Sequence, residues 1–145
     1  MCFQVGDFVY LKEDESVPCD LVVLSSSHVE GHCFVMTSNL DGETSLKTRF
    51  ASPLTKSLRD VGELGHFTGY VECENPNPKL DNFLGRMATL PNFSTNDSQT
   101  CSLSLENLLL AGTVLKNTKF VFGLCVYSGT QTKMSLNSKI TVSES

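Results

Sequence analysis

The sequence predicts a mainly β fold: a distorted β-sandwich or jelly-roll-like barrel with one or two short helices. Three observations carry that expectation. Apolar runs of strand length recur along the chain. Several of them alternate apolar and polar residues, the period of a half-buried strand. Between them stand clusters rich in Gly, Pro, Asn and Asp, which punctuate strands. The chain has 145 residues, 40% of them hydrophobic and 19% charged. That is enough for one domain with a real core.

The elements follow in order. Val5-Gly6-Asp7 opens with a turn. Phe8 to Lys12 reads as a strand with Phe8 and Tyr10 on one face and Val9 and Leu11 on the other. Glu13-Asp14-Glu15 is an acidic, solvated loop, closed by Pro18. Leu21 to Ser25 is a buried strand, and a Glu30-Gly31 turn leads to a third strand, Cys33 to Thr37. Ser45 to Phe50 is expected to start as helix. Ser52-Pro53 resembles an N-cap followed by proline. Leu54, Leu58 and Val61 would share one face of a short helix broken by Gly62 and Gly65.

Thr68 to Glu74 alternates, with Gly69, Val71 and Cys73 opposite Tyr70, Glu72 and Glu74. Asn75-Pro76-Asn77-Pro78 cannot continue it, because proline lacks the N–H donor. From there to Gln99 the pattern is poor, and Pro91 to Gln99 reads as a mobile surface loop. Leu103 to Leu110, Thr113 to Lys116 and Phe120 to Tyr127 form a last run of strands. Thr130 to Asn137 begins a helix, and Ser138 to Ser145 shows no core-forming pattern.

Composition excludes several functions. The net charge of −5 and the absence of a Lys/Arg cluster argue against a nucleic-acid face. No apolar run is long enough to span a membrane, and Met1 to Gln4 shows no signal-peptide pattern. Cys2, Cys19, Cys33, Cys73, Cys101 and Cys125 are widely spread. They read as reduced, mostly buried thiols of a soluble cytosolic domain. His28, His32 and Cys33 lack a second ligand pair at zinc spacing and read as a solvated turn. Asn92-Phe93-Ser94 and Asn96-Asp97-Ser98 match the glycosylation pattern, without consequence in a cytosolic chain.

One stretch stands apart: Thr37 to Lys47, with Asp41-Gly42-Glu43-Thr44 at its centre. Asp-Gly alone signals a hairpin turn, but Glu43-Thr44-Ser45 does not continue as an alternating strand. Glycine lets a backbone approach another surface closely. A carboxylate just past it suits a group presented to a reactive centre, where it orients a water.

Taken together, the motifs resemble a known family. They are Val5-Gly6-Asp7, Pro18-Cys19-Asp20-Leu21, Asn39-Leu40-Asp41-Gly42-Glu43-Thr44, Leu46-Lys47 and Glu72-Cys73-Glu74-Asn75-Pro76-Asn77. Phe83-Leu84-Gly85, Asn107-Leu108-Leu109-Leu110, Leu115-Lys116-Asn117-Thr118 and Tyr127-Ser128-Gly129-Thr130-Gln131-Thr132-Lys133 follow in the same order. From Val5 to Asn137 the chain resembles the actuator domain of the type-four P-type ATPases, the phospholipid flippases. Asp41, where cation pumps of the superfamily have threonine, and the segment from Glu72 to Gly85 point to the flippase branch. Lys133-Met134 is most similar to the eleventh class of the human flippases.

The resemblance implies residues 1–137 as the actuator core, with a flippase-type insertion at about residues 50–105. Residues 138–145 would be a tail or the start of a linker. It also implies a mechanism. Glu43 would position water on the aspartyl phosphate of a separate phosphorylation domain and help take its proton. Gly42 would allow close approach, and Asp41 and Thr44 would shape the loop. The implied partners are the phosphorylation and nucleotide-binding domains of the same parent chain, and an accessory subunit. The parent would move phospholipid, an aminophospholipid by resemblance, and would use ATP and Mg2+. It would be a multi-pass membrane protein with this domain on the cytosolic face. Within the 145 residues no cofactor or metal is expected, nor activity in isolation, since there is no Asp-Lys-Thr-Gly-Thr and no Gly-rich nucleotide loop.

Ser45 stands where flippases have asparagine, Cys19 where they have alanine, and Ala111 where an arginine is common. Two other readings are a cation-pump actuator and a non-catalytic β-rich interaction module with Val71 to Asn75 as a docking edge.

Overall fold

The computed structural model describes residues 3–37, 45–90 and 98–143, residues 139–143 as backbone only. Ten strands and two helices are seen among them: β1 (Phe8–Lys12), β2 (Asp20–Ser26), β3 (His32–Met36), β4 (Leu46–Phe50), α1 (Val61–Gly65), β5 (Gly69–Cys73), β6 (Gly85–Thr89), β7 (Thr100–Leu103), β8 (Leu108–Leu109), β9 (Val114–Lys116), β10 (Phe120–Tyr127) and α2 (Lys133–Ser143). They form three antiparallel sheets, ordered β1-β10-β2-β8, β4-β3-β9 and β5-β6-β7. No sheet closes into a barrel among the described residues.

The four-stranded sheet is the central layer, and β2 shows why. Every residue of β2 is buried. Successive side chains of a strand point to opposite faces. Leu21 and Val23 therefore enter a core with Val9, Leu11, Cys33, Val35, Leu115 and Val121. Val22 and Leu24 enter a second core with Leu64, Phe83, Met87, Leu103 and Phe122. The β4-β3-β9 sheet covers the first face. The β5-β6-β7 sheet and α1 cover the second. Full burial of one such aliphatic side chain is worth roughly 1.5–3 kcal/mol. A strand buried on both faces must read as a continuous apolar run, as Leu-Val-Val-Leu does.

β1 shows the edge of the same layer. Val9 and Leu11 are buried while Phe8 and Tyr10 are half exposed. The Tyr10 ring lies against Phe122, with centroids 5.1 Å apart.

Four expectations are corrected. Leu46–Phe50 is a strand, not a helix, because it pairs with β3 along its whole length. Ser52-Pro53 starts turns rather than a helix. Thr55 and Lys56 N–H both donate to the Ser52 carbonyl, and Leu54 and Leu58 still pack into the second core. The helix comes later, as α1, where the Asp60 carboxylate caps Glu63 N–H at 2.7 Å, and Gly62 and Gly65 lie inside it. Residues 85–89, read as patternless, form β6 at the middle of the third sheet. The run Leu103 to Leu110 is not one strand. A turn of 3-10 helix at Leu105–Asn107 separates β7 from β8.

The segment read as a mobile loop falls largely outside the described residues. Its end, Gln99, is joined to β6 by a 2.7 Å bond from Thr89 N–H. α2 continues to Ser143, through much of the expected tail.

Gly31 holds a tight corner. Its φ is +85°, and a Cβ there would lie 3.2 Å from those of Ala51 and Lys56. Only glycine meets both conditions without strain.

Candidate functional site

Asp41, Gly42, Glu43 and Thr44 lie outside the described residues. Their support does not. β3 is the middle strand of its sheet, paired with β4 from His32↔Phe50 to Met36↔Leu46 and with β9 from Phe34↔Lys116 to Met36↔Val114. Cys33 and Val35 anchor it in the first core. Burial pushes the Cys33 thiol up to about 12, opposed by the charge of Arg49, so it stays protonated. The segment before β2 holds β9 in turn, through Asp14 N–H to the Leu115 carbonyl (2.8 Å) and Val17 N–H to the Thr113 carbonyl (2.8 Å).

β4 is the outer strand of this sheet, and most of it is exposed. Its far end is tied down. The Arg49 Nε–H donates to the Leu108 carbonyl at 3.2 Å, and Asn107 Nδ2 donates to the Phe50 carbonyl at 2.8 Å. Residues 37–45 thus join the ends of a firmly rooted antiparallel pair. A chain of three residues spans at most about 11 Å, which bounds the Cα distance from Glu43 to Leu46.

The pairing also bears on the plain-turn reading. Its register is centred on residue 41. The two strands therefore form a hairpin, contrary to the argument from alternation.

A second constellation was not visible as one in the sequence. Asp20, at the start of β2, is fully buried. Its Oδ1 accepts from Ala111 N–H at 2.9 Å and its Oδ2 from Lys133 N–H at 2.8 Å. Burial pushes this carboxyl up, opposed by those two N–H groups and by the Lys133 charge. The Lys133 side chain is 0% exposed. Its Nζ donates to Asn77 Oδ1 at 2.8 Å and stands 3.6 Å from Glu74 Oε1. Tyr127 Oη donates to the Glu74 carbonyl, and Asn137 Nδ2 donates to the Pro78 carbonyl at 3.1 Å. Three of the motifs quoted above meet here, those of Asp20, of Glu74 and Asn77, and of Tyr127 and Lys133. Their members lie up to 113 residues apart in sequence, too far for any spacing rule to reveal.

The three departures have simple settings. Cys19 is buried in the first core, where a small side chain fits. Ala111 contributes its backbone N–H to Asp20, a bond that does not depend on its side chain. Ser45 is exposed. Among the described residues, no group of three His, Cys, Asp or Glu could hold a metal ion. None of the described helices is long and apolar enough to cross a membrane.

No protein-family model matches the chain. Individual proteins do, over nearly all of it. Human phospholipid-transporting ATPase IH is 46% identical over 92% of this chain. Mouse phospholipid-transporting ATPase ID is 44% identical over 92%, and Arabidopsis thaliana phospholipid-transporting ATPase 2 is 41% identical over 94%. The match occupies only 12%, 10% and 12% of those proteins, respectively. The mainly β, three-layer chain is therefore the counterpart of one segment of a much longer protein. It belongs to the type-four phospholipid-transporting ATPases. Mouse phospholipid-transporting ATPase 11C is 42% identical over 92% of this chain.

Proposed function

We propose that the chain is the actuator domain of an ATP-driven phospholipid flippase. The observation that carries this reading is the match to phospholipid-transporting ATPases over 92–94% of the chain. The motif order within the match and the firm root of the β3–β4 hairpin support it.

In this reading residues 1–137 are the actuator core and residues 138–145 lead into a linker. Glu43 is the catalytic carboxylate. It holds a water in line with the aspartyl phosphate of the parent's phosphorylation domain and accepts a proton as the P–O bond to the aspartate breaks. Phosphoryl transfer is mostly positioning and charge stabilisation. A positioned base contributes roughly 10²–10⁴-fold. A carboxylate beside a phosphate is repulsive, so the partner domain must supply a cation or proton. Gly42 admits the backbone to the phosphate, while Asp41 and Thr44 shape the loop. The parent uses ATP and Mg2+, moves phospholipid across its own membrane, and carries this domain on the cytosolic face with an accessory subunit.

The flanking sequence of the parent transcript tests the assignment. It should encode membrane spans on both sides of this segment and an Asp-Lys-Thr-Gly-Thr downstream. A complete reading frame lacking both would overturn the reading in favour of a β-rich interaction module.

A further inference from the structure

The Lys133 constellation performs none of the chemistry assigned to Glu43, yet it is the most deeply buried charged group described. Burying an ammonium is costly unless it is paired and hydrogen-bonded. Here the partners come from one segment, residues 74–77, while the backbone of the same residue is held by Asp20 of the central sheet. Lys133 is also the first residue of α2. Asn137, one turn on, bonds to Pro78, the residue that follows that segment, and Met134 packs into the second core. Three consecutive layers of contact thus converge on the first turn and a half of α2. Helix propensity does not explain this attachment, because the Lys-Met-Ser-Leu-Asn-Ser start carries neither an acidic first turn nor a strong apolar stripe.

We propose that Lys133 is a positioning residue of a conformational lock. It fixes α2 to the central sheet and to the β5–β6 connection, so that helix and β layers move as one body. The lock has two halves. Asp20 sets the direction in which α2 leaves the central sheet. The Lys133 side chain, gripped by Asn77 and Glu74, stops the helix from swinging about that point. If the chain is a flippase actuator, a consequence that rests on the reading above, any rotation of the domain passes undamped into the chain that continues beyond α2.

Hydrogen exchange on the 145-residue chain tests the lock without reference to ATPase activity. In Lys133→Met the amides of residues 134–138, and those of Asn77 and Lys79, should exchange at least about tenfold faster, while those of residues 21–24 change less than about twofold. Asn77→Ala should loosen the same amides. Asn77→Asp, which keeps the acceptor oxygen, should leave them protected. If Lys133→Met does not fold, the two Asn77 variants decide. Unchanged exchange at 134–138 in Asn77→Ala, or equal acceleration throughout the chain, would overturn the proposal. Either result would leave the role of Glu43 standing, since that is read from phosphoenzyme decay.

Discussion

The β3–β4 hairpin and the Lys133 lock are built from motifs of similar appearance, short polar strings flanked by apolar residues. They sit in opposite environments. The hairpin has a buried root in Cys33 and Val35 and an exposed outer strand. The lock is buried at its centre, with Asp20 and Lys133 both at 0% exposure, and half-buried at Glu74 and Asn77. The difference separates two kinds of constraint. In the proposed reading, a group that must meet a partner is carried on a well-anchored hairpin, and changing it alters rate. A group that must hold elements together is enclosed, and changing it alters stability or motion.

The largest effect on folding should come from the layer both regions share. Leu21→Ala, in the core between the central and the β4-β3-β9 sheets, should cost about 2–5 kcal/mol in urea denaturation. A loss under about 1 kcal/mol would mean that the central sheet is not the common support.

Asp20→Ala should cost less, roughly 1–3 kcal/mol. It leaves the Ala111 and Lys133 N–H groups without acceptors. It also relieves the burial that pushes this carboxyl up, which offsets part of the loss. A neutral result would show that the enclosed half of the comparison is not held by this carboxylate.

Thiol chemistry sharpens the contrast between enclosed and accessible positions. Cys19, Cys33 and Cys125 are buried, whereas Cys73 and Cys101 are half-buried. The thiolate is the reactive form, and burial pushes Cys33 up to about 12. At pH 8 iodoacetamide should label Cys73 and Cys101 well before Cys33, as read by peptide mass spectrometry. Equal labelling would show that the first core opens more readily than its packing implies.

The smallest expected effect is none. Calorimetry of the 145-residue chain with ATP should show no micromolar binding, since the nucleotide site is assigned to another part of the parent. Measurable binding would move that site into this domain.

Much of this architecture is legible in the residues, for physical reasons. Phe8 to Lys12 alternates because one of its faces is open, and Leu21 to Leu24 does not alternate because both of its faces are covered. β4 departs from the expected helix because pairing with β3 sets its state: Leu46 and Phe50 stay exposed and no buried apolar face marks it as a strand. β6 leaves no pattern beyond Asn75-Pro76-Asn77-Pro78, whose prolines end one strand but say nothing about the next. α1 starts later than the Leu54, Leu58 and Val61 spacing predicts, because the Asp60 cap sets its start. For Glu43, the residues alone suggest a carboxylate held just past a glycine bend, and the resemblance supplies the phosphate it would act on. The lock is legible in no local pattern, since Asp20, Glu74, Asn77 and Lys133 meet only in three dimensions.

The most direct test of the central claim is the decay of the phosphorylated parent carrying Glu43→Gln. The amide keeps the size of the carboxylate and can still hold a water, but it cannot take the proton. Phosphorylation from ATP should proceed, and phosphoenzyme decay should slow by a factor on the order of 10²–10⁴. The stability of the isolated chain should change by no more than about 0.5 kcal/mol. Decay at the wild-type rate, or failure to phosphorylate at all, would contradict the assignment of Glu43 as the residue that directs water onto the phosphate.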